Sequence, residues 1–237
     1  MKRLLVWDLP VRLFHVLLAV AFIAAFTIAQ VVDDDSTLFS AHMLLGLFMA
    51  HLVILRLFWG FFGTRHARFR DFLFGPRAVL TYLRDAVRGR AGRHAGHNPG
   101  TAVAAFAIFA FVIGLAVTGI LMGKGHEAAE EVHELLAYGL LLTVIAHLVG
   151  VALHTVRQRD NITLSMIDGR KEVDASEAIP GTRPIVGLVL LGLMAIVGWH
   201  LASGFDPATR QLDLPLFGQL QLGEVEDGDH GEREHDD

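Results

Sequence analysis

The chain has 237 residues, 53% of them hydrophobic and only 19% charged, with a net charge of −5 at pH 7. Five runs free of Asp, Glu, Lys and Arg, each at least the roughly 18 residues that span a bilayer, exclude an ordinary water-soluble globule. The absence of cysteine excludes disulfides, Cys-ligated iron–sulfur clusters, thiolate zinc sites and covalently attached c-type haem, so a redox cofactor here depends on His or Met.

The first run, Leu13 to Val32, predicts a spanning helix with Asp8 as its cap and Pro10 in its first turn, where an N–H has no intrahelical use. Asp33, Asp34 and Asp35 follow it in place of a small-residue cleavage site, which argues against a removed signal peptide. Ser36 to Leu55 is the second span. The basic segment from Arg65 to His97 comes next, with Asp71 to Val87 expected as a short amphipathic helix on the headgroups. Ala95 to Gly123, Leu135 to Val156 and Pro184 to Phe205 complete the set, and Trp7, Trp59 and Trp199 fall near span ends, where an amphipathic ring sits well. Residues 206–237 read as an acidic periplasmic tail and are expected to be disordered, above all Glu224 to Asp237, which is poor in aromatics. With the N-terminus inside, all of the 20 Lys and Arg except Lys124, Arg210 and Arg233 lie on the inner side. The positive-inside bias therefore predicts a cytoplasmic N-terminus and an exterior C-terminus.

Ionisable groups at membrane depth are costly and are functional candidates by default. Here they are histidines: His15 in the first span, His42 and His51 in the second, His133, His147 and His154 in the fourth, His200 at the end of the fifth. The spans hold almost no carboxylate, which disfavours proton- or ion-coupled transport; neutral imidazole without carboxylate suits haem ligation. His133 and His147 are 14 residues apart, about 21 Å along nearly one helix face. That spacing suits two haems, one near each membrane surface. Depth then pairs His42 with His133 on the outer side and His15 with His147 on the inner side. His154 lies seven residues further along that face and could replace His147. His51, about half a turn round from His42, is expected to bond a neighbouring helix or line a quinone pocket. His66, His94, His97 and His126 read as solvated loop residues, and simple hydrogen bonding between helices remains the alternative for the deep set.

Trp7-Asp8-Leu9-Pro10-Val11-Arg12-Leu13-Phe14-His15 resembles the W-D-x-P-x-R-x-x-H start of bacterial membrane cytochromes b, the family of cytochrome b-561 and the b-type subunit of nickel–iron hydrogenases. His42 with Gly46, Arg56 and Trp59-Gly60-Phe61 resembles the family's second helix, and His133-Glu134 with His147 its fourth. Gly96-His97-Asn98-Pro99 and Met166-Ile167-Asp168-Gly169-Arg170-Lys171 resemble a subgroup that works beside periplasmic c-type cytochromes. The resemblance covers roughly residues 4 to 172 and implies an all-α integral membrane protein of the bacterial inner membrane: a four-helix bundle over residues 1–172 holding two haem b through His15, His42, His133 and His147. A linker and fifth helix over 173–205 lie outside it. Arg12 and Arg56 could pair with haem propionates, although membrane anchoring explains them equally.

The expected function is electron relay between the quinone pool and a periplasmic redox partner, a c-type cytochrome or a reductase or hydrogenase subunit. The acidic exterior would steer a basic partner. Direct oxidation of a small anion such as superoxide would want a basic funnel above the outer haem, and a histidine-using transporter would carry no haem. His230 and His235 among acidic residues read as a solvated charge run.

Overall fold

The computed structural model describes residues 2–34, 36–158, 162–214 and 218–222. Seven helices are present among them: α1 (Leu9–Val31), α2 (Ser40–Phe62), α3 (Pro76–Val87), α4 (Pro99–Met122), α5 (Ala129–Gln158), α6 (Ile162–Asp168) and α7 (Pro184–Ser203). Five of these, α1, α2, α4, α5 and α7, are long and apolar enough to cross a membrane. The helices start where the sequence supplies a stop for the orphan N–H groups. Asp8 accepts from the Val11 N–H at 2.9 Å, and Asn98 with Thr101 forms a reciprocal capping box at α4.

Two helix pairs build the bundle. α1 packs along α2, and α4 packs along α5, where Gly114 faces Leu136 and Gly139 faces the Phe111 ring. α2 against α4 joins the pairs, and α7 lies across α1 and α2, with a Cβ at Gly187 falling 2.8 Å from Leu9. The shared core of Phe14, Ala21, Ala25, Met49, Leu52, Val53, Phe109, Val112 and Met194 takes only Leu140 from α5. Among the described residues α5 packs along its length on α4 alone. The longest helix, and the one richest in histidine, thus leaves most of its surface uncommitted to protein.

The end of the bundle that carries the N-terminus is tied by a two-stranded antiparallel sheet, β1 (Lys2–Leu5) with β2 (Arg170–Val173), in the register Lys2↔Val173 to Leu5↔Arg170. Gly169, at φ 78°, is pressed against this join, since a Cβ there would lie 2.7 Å from the Trp7 carbonyl oxygen. Trp7 itself is 3% exposed, buried in this join instead of standing at a membrane interface as expected. At the opposite end, residues expected to belong to a disordered tail form β3 (Phe205–Asp206), β4 (Gln211–Leu214) and β5 (Gly218–Gln221). The reason is a short alternation: Leu212, Leu214, Leu220 and Leu222 face inward and join Leu47 and Leu201. Leu222 accepts from Ser40 Oγ at 2.7 Å and Gln221 N–H donates to the Gly123 carbonyl at 2.9 Å, docking the sheet on α2 and α4. The stretch from Glu224 to Asp237, with His230 and His235, lies outside the described residues.

Candidate functional site

His42 stands at the start of α2 and His133 at the start of α5, at the bundle end away from the N-terminus. Their ring centroids are 6.3 Å apart with an interplanar angle of 68°. Each ring has one nitrogen committed elsewhere. His42 Nδ1 meets the Ala25 carbonyl at 2.9 Å, and His133 Nδ1 meets Thr118 Oγ1 at 2.8 Å. Thr118 in turn donates back into its own helix, to Gly114 and Leu115 carbonyls. The two Nε2 atoms are therefore the nitrogens left for a third party. A metal held between the two Nε2 atoms by bonds of about 2 Å each would set the ring centres roughly this far apart. Outer-shell bonds of this kind on Nδ1 fix tautomer and ring orientation in metal-binding histidines. No Cβ-blocking atom lies within 4 Å of Gly46, one turn beyond His42, so open space adjoins the pair.

The second pair lies nearer the N-terminal end. His15 on α1 is exposed within the chain and His147 on α5 is half-buried; the two are close enough for His147 to act electrostatically on His15. His147 Nδ1 is buried with no hydrogen-bond partner. His154, one face with it, is half-buried near the end of α5. Among the described residues no three of His, Cys, Asp and Glu converge as an ordinary metal centre would require; two imidazoles are what a porphyrin leaves for protein to supply.

Arg56 is inside α2, 4% exposed, with its guanidinium carbon 5.7 to 6.0 Å from the ring centres of Phe14, Phe69, Phe72 and Phe109. Its Nη2 donates to the Ala67 carbonyl at 3.0 Å, whereas Nη1 is buried without a partner. Arg12 is half-buried and its Nε donates to the Met166 carbonyl at 3.4 Å. Asp8 is fully buried and accepts from Val11 N–H, Trp59 Nε1 at 3.0 Å and Thr64 Oγ1 at 2.7 Å.

The donor-rich cluster around these residues corrects the reading of two loop histidines. His66 is 7% exposed, and its Nε2 meets the Glu177 carbonyl at 2.7 Å; burial holds it below the ordinary histidine range, against the opposing pull of that bond. His97 stacks on Phe72 at 4.3 Å and meets Trp7 edge-on at 4.9 Å. Burial first, then the charges of Arg56 and Lys171, push it down to about 3. Only His97 stands in a motif, Gly96-His97-Asn98-Pro99, and the Trp7 ring that meets both histidines comes from far away in the chain. His51 donates or accepts only within its own helix, Nδ1 to the Leu47 carbonyl at 2.8 Å, and does not bond a neighbouring helix there. His200 and His126 are exposed.

Paired imidazoles in a transmembrane bundle, those of His42 and His133 bonded at Nδ1, have a match in sequence as well. A family model described as prokaryotic cytochrome b561 matches residues 6–169. The chain belongs to the prokaryotic cytochrome b561 family. It is accordingly a multi-pass prokaryotic membrane protein, a b-type cytochrome of electron transfer that binds haem b. The matched region ends at Gly169, so α7 and the β3–β5 sheet are additions to the cytochrome b561 core. No curated protein and no solved structure matches the chain.

Proposed function

We propose that the chain is a di-haem cytochrome b561 that relays electrons between the quinone pool and a redox partner on the outer face of the inner membrane. The observation that carries this is the His42–His133 pair, spaced at 6.3 Å with each Nδ1 bonded away from the gap. His42 and His133 would hold one haem and His15 and His147 the other, with Arg12 and Arg56 on the side of the propionates. Haem supplies one-electron redox chemistry, and an iron with two protein ligands keeps no position for oxygen or substrate.

The rest of the task falls to the chain. Thr118 and the Ala25 carbonyl orient the outer imidazoles, and the α4–α5 pair holds His133 and His147 on one rigid helix. The positive-inside bias supports a cytoplasmic N-terminal end. The test of the reading is a dithionite-reduced minus oxidised spectrum of the purified protein with pyridine haemochrome quantification. About two b haems per chain are expected; protein without haem overturns the proposal and leaves a histidine-using transporter.

The outer end is acidic where it matters. Glu127, Glu130, Glu131 and Glu134 are exposed around His133, and Asp33 and Asp34 are exposed near the start of α2. This rim favours a basic partner such as a c-type cytochrome and disfavours direct capture of an anion such as superoxide. Association with a basic c-type cytochrome should weaken several-fold as ionic strength rises from about 10 mM to about 200 mM, where screening shortens from about 30 Å to below 10 Å. Binding that ignores salt would remove the rim from the docking surface.

A further inference from the structure

Three buried nitrogens at the N-terminal end of the bundle have no hydrogen-bond partner: the donors Trp7 Nε1 and Arg56 Nη1, and His97 Nδ1, which donates in one of its two neutral tautomers. Buried polar nitrogens are rarely left so, because an unpaired one forfeits its hydration with nothing in return. The three come from separate segments yet meet. His97 lies edge-on to Trp7 at 4.9 Å and stacked on Phe72 at 4.3 Å, and the Arg56 guanidinium carbon is 5.9 Å from the centre of that same Phe72 ring.

The cluster is also short of negative charge. The groups acting on His97 are Arg56, Lys171, His66 and His147, with no carboxylate among them. Asp8 does reach Arg56, but its oxygens already accept from Val11, Trp59 and Thr64. Unpartnered nitrogens beside a buried guanidinium call for an anion. Among the groups that act electrostatically on His97 is His147, one of the imidazoles assigned to the N-terminal-end haem. The anions that such a haem brings with it are its own carboxylate side chains.

We propose that Trp7, Arg56 and His97 form a carboxylate-binding pocket for a propionate of the haem held by His15 and His147, with His97 as a positioning residue. The inference rests on the di-haem reading above. It gives a role to Gly96-His97-Asn98-Pro99. Gly96 passes so close to His66 that a Cβ would lie 2.8 Å from its Nδ1, and Asn98 caps α4, so His97 is fixed from both sides. A stacked imidazole holds its ring nitrogens in a fixed direction, where a lysine would offer a mobile, hydrated charge.

The experiment uses the full chain in detergent, with haem content and a redox titration of each haem as readouts. His97→Phe keeps a ring against Phe72 and Trp7 but has no donor; His97→Gln returns one. Trp7→Phe removes the second donor and keeps an aromatic ring. Two haems per chain are expected in all three. His97→Phe and Trp7→Phe should lower the midpoint potential of one haem only, because a less neutralised carboxylate favours the oxidised iron, and His97→Gln should restore it towards wild type. Wild-type potentials in both Phe variants overturn the pocket. Failure of the di-haem reading would show separately, as wild-type protein lacking two haems.

Discussion

His42→Ala and His133→Ala are each expected to lower the haem content from about two to about one per chain, and the haem lost should be the same in both variants. In the proposed arrangement each imidazole would supply one of the two protein ligands of the same haem, and the two rings meet with centroids 6.3 Å apart. His15→Ala and His147→Ala should remove the other haem and spare this one. A graded effect should accompany the outer pair. Thr118→Val removes the hydroxyl that bonds His133 Nδ1 at 2.8 Å without touching a ligand, and loss of such an outer-shell bond costs about 10–100-fold in affinity. The readout is haem retained per chain after dilution with a haem-scavenging apoprotein. Should His154→Ala lose a haem while His147→Ala keeps both, the inner ligand is His154. Should His42→Ala and His133→Ala lose different haems, the pairing across α2 and α5 is wrong.

The spanning helices were readable because bilayer length and apolarity act on local sequence. Asp8 and Pro10 announced α1, and Asn98-Pro99 announced α4, for the same local reason: a helix start must satisfy its own N–H groups. The His42–His133 meeting was readable from depth, since the direction of each span fixes which histidines share a level. The cluster at the N-terminal end was not. His97 and His66 look like loop residues until Phe72, Trp7 and the Glu177 carbonyl arrive from elsewhere in the chain. Trp7 likewise fits an interfacial pattern, and only the β1–β2 join over Gly169 buries it. The β3–β5 sheet escaped because its inward face is four leucines in a polar, charged stretch, too short a signal against the surrounding acidity. Arg56 was readable as a charge near the end of a span, but its cage of four Phe rings depends on how α2 meets α1, α4 and the segment after α2.

Asp8→Ala should be among the most destabilising single substitutions in the chain, by about 3–5 kcal/mol. The carboxylate is fully buried and serves three segments at once: it caps α1 at Val11, holds the α2 indole of Trp59, and takes the Thr64 hydroxyl. It is also the acidic group that reaches Arg56, whose guanidinium is 4% exposed. Loss of a helix cap alone costs about 1 kcal/mol. The larger part comes from stranding a buried cation and two donors, which costs more than the intact pair contributes. Asp8→Asn separates the parts, because the amide oxygen still accepts at the cap while the charge is gone; its effect should fall between that of alanine and wild type. Arg56→Met in the Asp8→Asn background should then cost less than the two single changes added together, by more than about 1 kcal/mol, since the second substitution removes the cation that the first left uncompensated. Thermal unfolding in detergent, followed by loss of the reduced b-haem absorbance, measures all four proteins. Additive losses would mean that Asp8 acts as a cap and hydrogen-bond hub only, and that Arg56 is neutralised by another group, which the propionate pocket would supply.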